Sequence, residues 1–335
     1  MTDVKLTAIK VALAGLLLHS VCFFASAQEQ SRVAFKIGER ELIPEGIAYD
    51  PRAKVFYVGS TYQRKIVSVD AKGVVRDFTG EGQEGLLGAL GMRVDAKRRL
   101  LWVVSSNAGG AMPGKGLGGD CLGCSAVFKY DLRAGRLIKK YALSNKPNAH
   151  FLNDLAINSR GDAFITDTVT GDIYLVSREK DELELFVNLG PKAYPNGIDL
   201  SGDEKHLFVA ADGGVRVVNL RDRSSRTLKL PDGVSPVVID GLYFYKGSLI
   251  AIQPFAPQRK VVRYSLDAEA NAVTKVEIIE AENPLFNQPT TGVIVGKDFY
   301  YIANSQLQLF RRIYKPDGSY DKGQLLDVVV LRERL

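Results

Sequence analysis

Downstream of an apolar N-terminal stretch, hydrophobic and polar positions alternate in short runs bounded by Gly, Asp, Asn or Pro. The clearest runs are VFYVGS, LLWVVS, AFITDT, HLFVAA, LIAIQP and FYYIAN. Alternation with a period of two, rich in β-branched and aromatic residues, predicts strands with one face buried. Further strand-like runs follow in most cases: KIVSVD, AVFKYD, DIYLVS, VRVVNL and VVRYSL, then LELFVN and SRTLKL. No long amphipathic helix pattern interrupts them.

Each leading run is preceded by a related tetrapeptide. These are Glu45-Gly46-Ile47-Ala48, Leu90-Gly91-Met92-Arg93, Asn153-Asp154-Leu155-Ala156, Asn196-Gly197-Ile198-Asp199, Asp240-Gly241-Leu242-Tyr243 and Thr291-Gly292-Val293-Ile294. Gly holds the second place in all but the third. The first places are spaced by 45, 63, 43, 44 and 51 residues. Four-stranded units repeating about every 40–50 residues predict an all-β, six-bladed β-propeller around a central channel. The leftover runs RVAFKI, near Val33, and DVVVLRE, near Val328, are placed to pair within one blade. That pairing closes the ring and protects its edges. The long step of 63 residues comes from a Gly-rich segment, 105–125, between the second and third strands of blade two. It is expected to lie over the channel mouth as a lid or a surface loop.

The N-terminus adds a second feature. Lys5 and Lys10 precede VALAGLLLHSVCFFASA, which ends in Ala25-Ser26-Ala27. This is the pattern of a cleaved secretory leader over residues 1–27, leaving 28–335 as one propeller domain. The apolar run is shorter than a membrane span needs, so no span is expected after cleavage and the protein is read as exported. Cys121-Leu122-Gly123-Cys124 then contains the remaining cysteines. It follows a Gly-rich loop rather than opening a helix, so it reads as a local disulfide staple.

Net charge is +6, from 44 Lys and Arg against 38 Asp and Glu. The basic residues are scattered, with no arm or basic helix, which argues against a nucleic-acid partner. No Gly-x-Ser-x-Gly elbow is present, so Ser-His-Asp hydrolysis is disfavoured.

The first places of the six units carry the chemistry. In a propeller, equivalent inner-strand positions sit at one height around the axis, so Glu45, Asn153, Asn196 and Asp240 point to one centre. Two buried carboxylates there repel each other unless a cation joins them. Two carboxylates and two amide carbonyls form a hard oxygen set suited to Ca²⁺, or to another divalent ion. Only His150 and His206 remain after cleavage, too few for a His-rich zinc site. Asn-Gly and Asp-Gly are also common turn formers; it is the shared register that sets these apart.

Pro44-Glu45-Gly46, Asn153-Asp154, Pro195-Asn196-Gly197 and Asp240-Gly241, in this order and spacing, resemble the regucalcin/gluconolactonase family of six-bladed propellers. The resemblance implies a divalent ion on Glu45, Asn196 and Asp240. It makes Asn153 a ligand or a contact to substrate and water, and Asp154 a supporting group. It also implies hydrolysis of lactones, or of phosphoesters as in some relatives. In such a reaction Asp240 serves as general base, or as nucleophile in a phosphotriesterase-like variant.

Phe151 stands where sugar-lactone members of that family tend to carry Arg, which points to a less polar small-molecule substrate. Thr291 is placed to hydrogen-bond substrate or to serve a turn. His150, three residues before Asn153, is placed at the rim either to relay protons beside the substrate or as an ordinary exposed loop histidine. The second reading is favoured because no acidic partner is evident beside it in sequence. A second functional class stays open: a propeller that binds a small molecule or a protein without turnover, around a structural ion.

Overall fold

The computed structural model describes residues 32–108, 112–116, 121–255 and 258–335. The leader reading of residues 1–27 lies outside them, as do positions 109–111 and 117–120 of the expected lid.

Six four-stranded antiparallel sheets form the blades of a β-propeller. The innermost strands are Pro44–Asp50, Gly88–Asp95, Leu152–Ile157, Ile198–Leu200, Leu242–Tyr245 and Gly292–Val295. Each is followed in sequence by the strand read from the alternation, for example Val55–Ser60, His206–Ala211 and Asp298–Ile302. The ring closes as expected. Arg32–Ile37 forms the outer strand of blade six, pairing antiparallel with Val328–Arg334 so that Val33 faces Leu331 and Ile37 faces Val328.

The core is divided among the junctions between blades. Blades one and two share Ala48, Ile66, Met92, Val103 and Phe128, and blades four and five share Phe208, Val217, Leu242 and Val262. The closing junction packs Ile37 and Val328 against Val58 and Val67. Fully burying one such side chain contributes about 1.5–3 kcal/mol, so each junction adds a comparable share and the ring is held evenly. A cap of Ile43, Tyr62, Phe310 and Leu325 covers one side, anchored by the helix Leu307–Ile313.

The second-place glycines are explained by the channel. Inner strands of consecutive blades pass so closely that a Cβ on Gly46 would lie 1.8 Å from the Leu90 carbonyl oxygen, and one on Gly197 would lie 2.3 Å from that of Asp240. Only Gly permits that approach without moving backbone. Hydrogen bonds tie the strands there: Gly197 N–H donates to the Asp240 carbonyl at 2.9 Å, and Gly241 N–H to the Thr290 carbonyl at 3.1 Å. Among the described residues no helix is long and apolar enough to cross a membrane.

Candidate metal centre

The first-place residues sit where the ladders are irregular. The pairing of the inner strands shifts between Pro44 and Ile47, between Ala89 and Met92, and between Leu152 and Leu155. Such bulges turn side chains out of the pleat, and here they bracket Glu45, Leu90 and Asn153. Thr291 immediately precedes its strand, and Asn196 and Asp240 are each separated from theirs by one Gly. Glu45, Leu90, Asn153, Asn196 and Asp240 consequently meet in the lining of one cavity of about 570 Å³.

Hydrogen bonding fixes the orientation of the amides. Asn153 Nδ2 donates to Thr168 Oγ1 at 3.0 Å, and the Asn196 side chain lies beside the Asp240 carboxylate and favours its ionised form. Glu45 Oε2, Asn153 Oδ1 and Asn196 Oδ1 are each buried without a hydrogen-bond partner. A buried acceptor left unpaired costs about 1–3 kcal/mol. Three of them in one cavity lining, all acceptors, match the needs of a hard cation. Among the described residues no three His, Cys, Asp or Glu side chains are grouped to hold an ion. The candidate set is therefore a mixed one, of carboxylate and amide oxygens.

Backbone carbonyls behind these residues are held by hydroxyls from the next strand or blade. Thr291 Oγ1 donates to the Glu45 carbonyl, with Thr290 Oγ1 at 3.2 Å from the same atom. Thr166 Oγ1 donates to the Asn196 carbonyl at 2.8 Å. Thr291 is thus buried behind Glu45 and away from the cavity lining.

The electrostatics are those of acids crowded without enough positive charge. Burial pushes the Glu45 carboxyl well above its usual range, and the carboxylates of Asp240 and Asp154 push it further. Burial likewise pushes Asp240 up to about 7, with the Asn196 hydrogen bond opposing the rise and Asp154 adding to it.

Sequence reasoning missed the counter-charge. Arg93 Nη2 lies 3.3 Å from Asp154 Oδ2, and its guanidinium stacks 5.2 Å from the Tyr243 ring centroid. Burial opposes the charge on Arg93, but Asp154, Tyr243 and Asp199 outweigh it and hold the group above its ordinary value. Arg93, Asp199 and Tyr243 all occupy fourth places of the repeat, so the register that located the ligands was also the available signal for this layer. Asp154 replaces the usual second-place Gly. It fits because the facing residue, Gly91, has no Cβ: one there would meet Asp154 Oδ1 at 2.3 Å.

His150 is not the exposed rim residue expected from sequence. Its side chain is 13% exposed, and Nδ1 lies 2.6 Å from Oδ2 of the fully buried Asp167. Asp167 ends the strand Ala163–Asp167, whose pairing sets it opposite Leu152. An acidic partner exists, therefore, but it comes from the neighbouring strand. The Cys121–Cys124 disulfide is formed, and the turn that it closes supports His150: Gly123 O accepts from His150 N–H at 2.9 Å. His150 and Phe151 line the cavity, as do Met112, Leu122 and Gly123 of the Gly-rich segment. The described parts of that segment therefore contribute to the cavity wall.

No protein-family model and no curated protein matches the sequence. Solved structures do match in fold. A gluconolactonase from Xanthomonas campestris aligns over 91% of this chain and 90% of its own, with a TM-score of 0.58 and 13% identity. A catalytically inactive virginiamycin B lyase from Staphylococcus aureus, seen with quinupristin, aligns over 87% and 80% at a TM-score of 0.57 and 10% identity. A chain of a nidogen/laminin complex aligns over 74% and 84% at 0.54 and 12%. The structural neighbours include gluconolactonase-like propellers, and at these identities the likeness establishes the six-bladed fold. The fold is shared by a gluconolactonase, a lyase and a chain of a nidogen/laminin complex, so function rests on the site itself.

Proposed function

We propose that this protein is a divalent-cation-dependent hydrolase of lactones or esters, with Ca²⁺ as its cofactor. The carrying observation is the trio of unpaired acceptors, Glu45 Oε2, Asn153 Oδ1 and Asn196 Oδ1, in one cavity with the Asp240 carboxylate. Glu45, Asn153, Asn196 and Asp240 would hold the ion. When bound, it supplies Lewis-acid polarisation of the substrate carbonyl and charge for the oxyanion. Asp240, a carboxylate in the cavity lining, would take a proton from the attacking water.

The cavity walls suggest the substrate class. Leu90, Met112, Leu122, Phe151, Val169 and Phe255 line it, and these suit an apolar lactone or ester better than a sugar lactone. Export is part of the same proposal. The leader pattern of residues 1–27 and the Cys121–Cys124 disulfide both fit an oxidising compartment.

The test strips the protein with chelator, restores Ca²⁺, and assays aliphatic and aromatic lactones and esters. Ca²⁺-dependent turnover is expected. Tight Ca²⁺ binding with no turnover of any of them would contradict the hydrolase reading and leave a binding propeller with a structural ion.

A further inference from the structure

The cavity holds a second proton-carrying unit that the metal set does not use. Asp167 is fully buried, and both of its oxygens act as acceptors. Oδ1 takes the backbone N–H groups of Phe151 at 3.0 Å and Val169 at 3.1 Å, and Oδ2 takes His150 Nδ1 at 2.6 Å. An ionised carboxylate can only accept, so we assign the proton of the Oδ2–Nδ1 contact to His150. The ring is fixed from two further directions. Its backbone N–H is held by Gly123 O in the disulfide-closed turn, and Tyr174 packs edge-on with ring centroids 6.3 Å apart. Nε2 is then the ring nitrogen left for chemistry, on a residue that lines the cavity beside Asn153, Asn196 and Asp240. A histidine whose Nδ1–H is tied to a buried carboxylate has its ring orientation set and Nε2 free for proton transfer.

We propose that His150 is the general acid that protonates the leaving alkoxide, and that Asp167 is its positioning residue. This rests on the hydrolase reading above and divides the proton work between two places. Water adds to the carbonyl carbon: the new C–O bond forms, the π pair moves to the carbonyl oxygen, and Asp240 takes one water proton. Collapse restores the carbonyl and breaks the ring C–O bond. The departing electron pair takes the Nε2 proton of His150, releasing the alcohol end of a hydroxy acid. Asp240 then loses its proton to solvent and His150 regains one, so the net reaction consumes only lactone and water.

Leaving-group dependence separates this role from a structural one. Wild type, H150Q and D167N are assayed in saturating Ca²⁺ on δ-valerolactone, which expels an alkoxide, and on dihydrocoumarin, which expels a phenolate needing little proton help. H150Q and D167N should lower kcat on δ-valerolactone by about 10²–10³-fold and leave dihydrocoumarin nearly unchanged. Equal losses on both lactones, or none on δ-valerolactone, would overturn the proposal while the hydrolase reading stands. A wild type that turns over neither would overturn both. An independent readout uses ¹⁵N imidazole spectra of the metal-free protein, where the signals absent from H150Q identify His150 among three histidines. A hydrogen-bonded Nδ1–H that is lost in D167N is expected. A neutral ring protonated on Nε2 alone would overturn it.

Discussion

The Asn196 side chain stands close enough to the Asp240 carboxylate to favour its ionised form, and its own Oδ1 is left buried without a partner. One side chain thus restrains an acid and presents a bare acceptor to the same cavity. The backbones of the two residues are linked through Gly197, whose N–H reaches the Asp240 carbonyl at 2.9 Å. Several consequences can be measured.

The metal-free protein should lose stability as pH rises. Burial raises both Glu45 and Asp240. The native state therefore holds more protons than the unfolded chain between the two sets of pKa values. Stability is full below about 4, where unfolded Asp and Glu titrate, and falls as pH rises toward about 7, where Asp240 titrates. The loss is on the order of a few kcal/mol. Saturating Ca²⁺ should remove this slope, because it binds the ionised form. Chemical denaturation at pH 4.5–8, with and without Ca²⁺, checks the sign.

Removing the carboxylates should help and harm at once. At pH 8 without metal, D240N should be more stable than wild type, since it removes a buried like charge. The same variant should lose the rise in melting temperature that Ca²⁺ gives to wild type, a rise equivalent to about 2.7 kcal/mol at a hundredfold excess over Kd. Thermal melts of both proteins with and without Ca²⁺ make the comparison. A D240N protein still stabilised like wild type would remove Asp240 from the ligand set.

Arg93→Met should be among the most damaging single changes. It leaves Asp154 and Asp199 buried without their counter-charge, and breaking a buried pair from one side costs about 3–5 kcal/mol. Adding Asp154→Asn to Arg93→Met should restore part of the loss. Denaturant melts of the two single variants and the double variant measure the coupling.

Gly197→Ala tests the channel packing. The added Cβ would meet the Asp240 carbonyl oxygen at 2.3 Å, a backbone atom that cannot turn aside. A loss of about 1–3 kcal/mol is expected, together with weaker Ca²⁺ binding, because the displaced carbonyl belongs to a proposed ligand. Unchanged stability would mean that the inner strands have slack.

These residues also mark how far the sequence could be read. The blade count and the grouping of Glu45, Asn153, Asn196 and Asp240 follow from one register, because a ring of repeats turns equal positions into neighbours. The closing of the ring follows from the two strand-like runs left over at the ends. Arg93 lay in that register at the fourth place. An isolated Arg in an apolar tetrapeptide has no partner nearby in sequence to mark it as a counter-charge. The His150–Asp167 pair was out of reach for a different reason. Its members stand 17 residues apart, and only the pairing of Leu152 with Asp167 across a hairpin brings them together. Phe151 lines the cavity as an apolar wall, whereas Thr291 turned out to support the Glu45 backbone, a role no pattern in the sequence distinguishes from substrate contact.

The central claim is that four side chains make one cation site. Calorimetric titration of the chelator-stripped protein with Ca²⁺ tests it most directly, in wild type and in the E45Q/D240N double variant. The account predicts one saturable site in the wild type and none in the folded double variant. No binding in the wild type, or undiminished binding in the double variant, would contradict it.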